Sequence, residues 1–150
     1  MKHQDYMGIA LKLARQAAAN GEVPVGALIV KNGDILCQNY NRRETNRSAT
    51  AHAEMLVIEE ACRKLNRWRL DDCTLYVTLE PCPMCAGAIV LARLRQVVFG
   101  CDDSRWGAAG SLFNIPEHPN ATFHPQIIAG IRAEECQKLL QNFFQKQRIK

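Results

Sequence analysis

Two short stretches, thirty positions apart, restrict this chain more than any other part of it: Thr50-Ala51-His52-Ala53-Glu54 and Glu80-Pro81-Cys82-Pro83-Met84-Cys85. Together they carry one imidazole, two ionisable thiols and one free carboxylate. That is the donor set of a catalytic zinc: three protein ligands, a fourth position open to water, and a proton carrier beside it. Any fold must bring the two stretches to one point. Cys82 and Cys85 are spaced by about one helical turn, so a helix starting at Pro83 turns both sulfurs to the same side. Proline suits that first position, where its missing N–H costs nothing. The partial positive charge of a helix start also favours the thiolate. His52 and Glu54 open a second apolar run, with Thr50 as its expected cap. From there His52 reaches the metal and Glu54 the water.

Each half alone has a plainer reading. His-x-Glu is commonly a helix surface, and Cys-x-x-Cys is commonly a redox pair or half of a structural zinc site. A structural site wants a fourth ligand, yet no second Cys-x-x-Cys and no His-x-x-x-His occurs. With both halves present, each opening a helix and the second following a strand, the pattern points to one catalytic zinc per chain. His52, Cys82 and Cys85 are then its ligands and Glu54 its base.

The rest of the chain supplies the frame. Tyr6, Ala10, Leu13 and Ala17 recur at helical spacing, and Asn20-Gly21 ends that helix. The β-rich runs Val23 to Val30 and Ile35 to Tyr40 flank Asn32-Gly33, the strongest short hairpin signal. A polar loop with Arg42, Arg43, Glu44 and Arg47 follows, then a helix from His52 to about Leu65. Thr74 to Thr78 reads as a buried strand that delivers Glu80 and the cysteines. The helix from Pro83 to Arg93 leads into the strand Gln96 to Phe99. Strand, helix, strand at this spacing is a crossover between parallel strands. The expected class is α/β, a hairpin plus parallel strands covered by helices on both faces. The zinc ligands then lie beyond the carboxyl ends of strands, where ligands bind in such sheets. Gly107 to Ser111 is expected to be a turn-rich loop. The last helix, about Ala133 to Gln147, puts Cys136, Leu139, Leu140 and Phe143 on one face and ends in an aromatic, basic tail.

With 150 residues, 47% of them apolar, the chain suits a single domain spanning 1–150. Its net charge of +4 permits an anionic partner without demanding one. No signal peptide and no long apolar span is evident, and the seven cysteines are an odd number. The expectation is a cytoplasmic protein with no membrane partner, its thiols reduced. Cys37, Cys62, Cys73, Cys101 and Cys136 lack metal-ligand spacing and read as small buried hydrophobes.

His52-Ala53-Glu54 with Pro81-Cys82-Pro83-Met84-Cys85 resembles the zinc-dependent nucleobase deaminases, whose signature is of this form. Further matches narrow the resemblance to the bacterial tRNA adenosine deaminases. They are Gly21 to Ala27, Trp68-Arg69-Leu70, Leu75 to Cys82, Met84 to Ala88, Val97 to Gly100, Gly107 to Leu112, and Phe143-Phe144. Nearly the whole chain is covered in unbroken order. The resemblance implies a three-layer α/β/α cytidine-deaminase-like fold with a five-stranded mixed sheet, and a homodimer whose second subunit helps shape the RNA groove. It implies conversion of the wobble adenosine in the anticodon stem-loop of an arginine tRNA to inosine. Asn41 resembles the asparagine that contacts the flipped nucleotide, and Asp103 the acidic residue beside it; from the residues alone the first is a turn residue and the second a capped loop. Ala53 belongs to the same pocket. Phe144, Lys146, Arg148 and Lys150 offer aromatic and basic contacts for splayed bases, against the plainer reading of a solvated helix end.

The chain departs from that family in three places. Thr122-Phe123-His124 stands where relatives show Asn-His-Arg. Trp106 replaces a small residue before the Gly107 loop, and Gln145 and Gln147 stand where basic residues are common. Two other functions stay open on sequence. One is a free-base deaminase of the same fold, for guanine or cytosine, in which Pro83-Met84 is also at home. The other is a zinc-stabilised RNA-binding protein without catalysis, which would have no use for Glu54.

The chemistry explains the residue types. Exchanging a ring amine for oxygen needs a strong nucleophile at neutral pH and a shuttled proton, and zinc acidifies the water it binds. Two thiolates cancel the +2 of the ion, so this centre acidifies water less than three imidazoles would. A dedicated base is required, and Glu54 fills that place.

Overall fold

The computed structural model of the protein describes residues 1–149. Nine elements follow in order: α1 (His3–Ala19), β1 (Gly26–Lys31), β2 (Asp34–Tyr40), α2 (Ala53–Leu65), β3 (Cys73–Leu79), α3 (Pro83–Ala92), β4 (Gln96–Cys101), β5 (Gln126–Ile128) and α4 (Ala133–Ile149). The strands form one sheet in the order β2-β1-β3-β4-β5. β1 is antiparallel to both neighbours, while β3, β4 and β5 are mutually parallel. The expected α/β class and five-stranded mixed sheet are what the chain adopts.

Local chemistry accounts for most boundaries. Asn32 and Gly33 both take positive φ, 51° and 81°, as the tight β1–β2 hairpin requires. α1 stops at Asn20 and Gly21, the latter at φ 76°. The first strand starts three residues later than the apolar run suggested. Pro24 lacks an N–H for the ladder and restrains Val23 before it, so Val23–Val25 form a connector instead. β5 is a three-residue strand that carries no periodic signal, and it pairs with β4 through Gln96↔Gln126 to Val98↔Ile128.

Alternating side chains divide the core into two layers. Ala27, Ile29, Leu75, Val77, Val97 and Phe99 face α2 and α3, packing on Val57, Ala61 and Ile89. Leu28, Val30, Tyr76 and Val98 face the opposite side and pack on Tyr6, Met7, Leu11 and Cys136 from α1 and α4. The fold is thus three-layered, helices on both faces of one sheet. Close approach of α1 to the sheet depends on Gly26, where a Cβ would run into the Ala10 carbonyl oxygen. Cys37, Cys73, Cys101 and Cys136 are buried and Cys62 half-buried, and all seven cysteines are free. Burial pushes the Cys37, Cys73 and Cys136 thiols up to about 12 and Cys101 to about 11, so these four are inert core residues. No helix among the described residues is long and apolar enough to cross a membrane.

Candidate metal centre and its cavity

The topology brings every relevant segment to one edge of the sheet. β2, β3 and β4 run in the same direction and end there, at Tyr40, Leu79 and Cys101. Three loops leave that edge: Asn41–His52 into α2, Glu80–Cys82 into α3, and the loop after Cys101.

His52 and Cys82 are the N-caps of α2 and α3, and neither makes a side-chain cap hydrogen bond. A capping serine or threonine would spend its oxygen on the helix; here the imidazole and the thiol point to a shared centre instead. Thr50, the expected cap of α2, is two residues too early, and its carbonyl accepts the His52 N–H at 2.8 Å. Pro83 holds the first turn of α3 and Cys85 lies inside it, fully buried.

His52 Nδ1 lies 3.5 Å from the Cys82 sulfur and 3.5 Å from the Cys85 sulfur. All three donor atoms lie within 4.8 Å of one another. Tetrahedral bonds of about 2.3 Å to sulfur and about 2.0–2.1 Å to nitrogen require an N···S separation of about 3.6 Å. The donor set and its spacing therefore fit a tetrahedral metal ion without rearrangement. Two helix N-termini converge there, and their positive ends favour thiolates. The Cys85 thiol and the His52 ring both face the Cys82 sulfur and draw its pKa down to about 4. The reciprocal contact with Cys82 pushes the Cys85 thiol up and raises His52.

Glu54, in the first turn of α2, is 4% exposed, and burial pushes its carboxyl up to about 7. It lines a cavity of about 650 Å³ together with His52, Cys82, Asn41, Ala53 and Asp103. That volume is ample for a nucleoside-sized ligand. Phe144 and Arg148 of α4 form another wall. The structure thus gathers Asn41, Ala53, Asp103, Phe144 and Arg148 around the candidate metal centre. Lys146 is exposed and lies outside the cavity lining, and Lys150 lies outside the described residues. Gln147 and Trp106 line the cavity, whereas Thr122, Phe123 and His124 do not.

Two buried carboxylates hold the walls. Glu22, 1% exposed, accepts the Glu44 N–H at 3.1 Å, the Thr45 N–H at 2.7 Å and the Thr45 hydroxyl at 2.6 Å. These bonds fix the loop in which Asn41 Oδ1 accepts the Arg43 N–H and Asn41 Nδ2 donates to the Val23 carbonyl. Glu80, 2% exposed, accepts the N–H groups of Asp103, Ala109 and Ser111 and the Ser111 hydroxyl. The sequence reading gave neither acid a role, because a buried carboxylate that clamps a loop is spelled like an exposed one.

Burial pushes both carboxyls up, but the hydrogen bonds outweigh it and hold them below the ordinary 4.5. A carboxyl with a depressed folded-state pKa contributes stability that is complete above its unfolded pKa and lost as pH falls through the folded one. Unfolding by denaturant between pH 7 and pH 3 should therefore show a steeper acid loss in the wild type than in Glu22→Gln, beginning below about 4.5. Parallel pH profiles for the two proteins would remove this role from Glu22.

A family profile described as MafB19-like deaminase matches residues 1–148. The tRNA-specific adenosine deaminase of Bacillus subtilis (strain 168) is 49% identical, over 97% of this chain and 90% of that protein. The solved structure of a tRNA:A34 deaminase, described as editing A to I at the wobble position of transfer RNA, superposes with a TM-score of 0.88. It is 39% identical and covers 91% of this chain and 99% of that one. The guanine deaminase of Bacillus subtilis superposes at 0.66, with 32% identity over 100% of this chain and 96% of that one.

Proposed function

Because the chain belongs to the deaminase family that contains the bacterial tRNA-specific adenosine deaminases, we propose that it hydrolyses adenosine to inosine at wobble position 34 of tRNA, an arginine tRNA foremost, and releases ammonia. Residues 1–150 act as one deaminase domain in the cytoplasm. The observation that carries this reading is the convergence of His52 Nδ1 with both sulfurs, beside a cavity that Glu54 also lines, in a chain 49% identical to such an enzyme. The guanine deaminase stands further off in both identity and superposition.

Zinc held by His52, Cys82 and Cys85 would supply a water acidic enough to attack at neutral pH. Glu54 takes a proton from the attacking water as the C6–O bond forms and delivers one to ring nitrogen N1. It then protonates the departing amine, so that water and adenosine become inosine and ammonia. The small Ala53 leaves room for the base. Asn41 contacts the flipped nucleotide, and Asp103, Phe144 and Arg148 contact the flanking RNA; the shared cavity supports these roles. Proximity of a held base to its attacking group is a large part of such a rate enhancement.

A homodimer is supported by α3, whose ten residues include no charged side chain. Met84, Gly87 and Leu91, outside the buried face of α3, recur at helical spacing, and Leu91 is 73% exposed. Such an apolar stripe favours a second copy over water.

The test is inosine formation in an arginine anticodon stem-loop with adenosine at the wobble position, followed by nucleoside mass spectrometry. Free guanine and cytosine run alongside. Inosine from the stem-loop, with both bases untouched, is the expected result. Turnover of a free base alone would keep the hydrolytic chemistry and overturn the substrate.

A further inference from the structure

Trp106 is the largest side chain on the cavity wall and one that the chemistry leaves unused. It is 54% exposed, although it lines the cavity. Its surroundings hold it in place. Asp103 Oδ1 accepts the N–H groups of Arg105 at 3.0 Å and Trp106 at 3.2 Å, and Gly107 N–H donates to the Asp103 carbonyl at 2.8 Å. Glu80 anchors the same loop at Asp103 and again at Ala109 and Ser111. The indole meets the Phe113 ring edge-on, with centroids 5.6 Å apart and planes at 81°. A T-shaped contact cannot cover both faces of an indole, and more than half of the residue remains open.

Phe144 of α4, also on the cavity wall, is 40% exposed, and the wall carries the guanidinium groups of Arg43, Arg105 and Arg148 beside the carboxylates of Asp102 and Asp103. Pre-set aromatic faces with guanidinium groups beside them are how proteins hold splayed single-stranded nucleotides, since every base has a stacking face. A nucleotide whose base has turned towards Glu54 leaves its neighbour in the loop unstacked on one side.

We propose that Trp106 is a specificity-determining residue on whose indole the base adjacent to the reacting adenosine stacks. The assignment rests on the wobble-adenosine reading of the site. It makes the identity of that neighbour part of what the enzyme selects, with purines, which stack over more area, preferred to pyrimidines. Because the loop is already fixed, little ordering is lost when the base arrives.

The experiment pairs changes on both molecules. Wild type, Trp106→Ala and Trp106→Phe are assayed for inosine on the intact stem-loop and on stem-loops with an abasic site on either side of the adenosine. Trp106→Ala is expected to lower kcat/KM by about fivefold to a hundredfold, mainly through KM, and Trp106→Phe to retain most of it. At one abasic position the wild type should lose a similar factor, while Trp106→Ala loses little more, because the two changes remove the same contact. Additive losses at both positions would overturn the proposal, as would an unaffected Trp106→Ala. So would a Trp106→Ala that loses activity by falling to monomers in sedimentation, since the indole would then serve the contact between subunits. A wild type that makes no inosine from the intact stem-loop overturns the substrate reading and this inference together. Inosine without coupling overturns the inference alone.

Discussion

Glu54→Gln is expected to lose turnover by about three to four orders of magnitude while keeping its metal. General acid–base transfer contributes about 10²- to 10⁴-fold, and a residue that handles more than one proton in the cycle belongs at the upper end. Glutamine fills the same volume at a position only 4% exposed, so the cavity keeps its shape. It offers no carboxylate to receive a proton. Glu54 is also absent from the group whose donor atoms converge, which consists of His52, Cys82 and Cys85. Elemental analysis should therefore find one zinc per chain in both proteins. Burial dominates over the neighbouring His52 in setting the Glu54 carboxyl near 7, so exchange for a neutral amide should not lower the melting temperature. Turnover within tenfold of wild type would remove Glu54 from the proton path. Loss of zinc from Glu54→Gln would make the carboxylate a ligand and not a base.

The opposite pattern is expected for the ligands. His52→Ala, Cys82→Ala and Cys85→Ala should each lose zinc and, with it, all measurable inosine formation. The two sulfurs and the imidazole sit at the starts of α2 and α3, thirty or more residues apart in the chain, and the ion is what would tie those starts together. Binding to the folded state alone adds stability in proportion to the logarithm of occupancy. Chelation should thus lower the melting temperature of the wild type, and re-addition of zinc should restore it. The three variants should respond to neither treatment. A ligand variant that retains a full zinc equivalent and activity would break the assignment at that residue.

Much of this is legible in the sequence, because its signals are local. A Cys-x-x-Cys across a helix start and an Asn-Gly between two β-rich runs each state their geometry within a few residues. Helices on both faces follow from the strand-helix-strand crossover, and in the buried strand read at Thr74 to Thr78 the side chains of Leu75, Tyr76 and Val77 do split between the two layers. Most of what escaped was set by partners remote in sequence. β5 is too short to show a period and exists because β4 offers it a ladder. Pro24 moved a strand boundary through one missing donor. The clamps at Glu22 and Glu80 depend on loops twenty to thirty residues away, so nothing beside either acid announces its burial. His52 also displaced Thr50 as the cap, a case where a residue that caps poorly stands at the helix start because its ring is wanted elsewhere.

Two kinds of support meet at this edge of the sheet, and they age differently. The candidate metal-binding side chains stand on helix starts and beside a central strand, packed into the core at Cys85 and Ala86. Two of the cavity walls hang on loops, each stapled by a single buried carboxylate. Mutation can lengthen or reletter a stapled loop without disturbing the packed centre, so reactivity is inherited conservatively while selectivity drifts. A guanine deaminase that shares this sheet at 32% identity is what such a division of labour would be expected to leave behind in descent. For this chain the same division predicts that changes in the two stapled loops act first on selectivity, and changes at the starts of α2 and α3 act first on the metal centre.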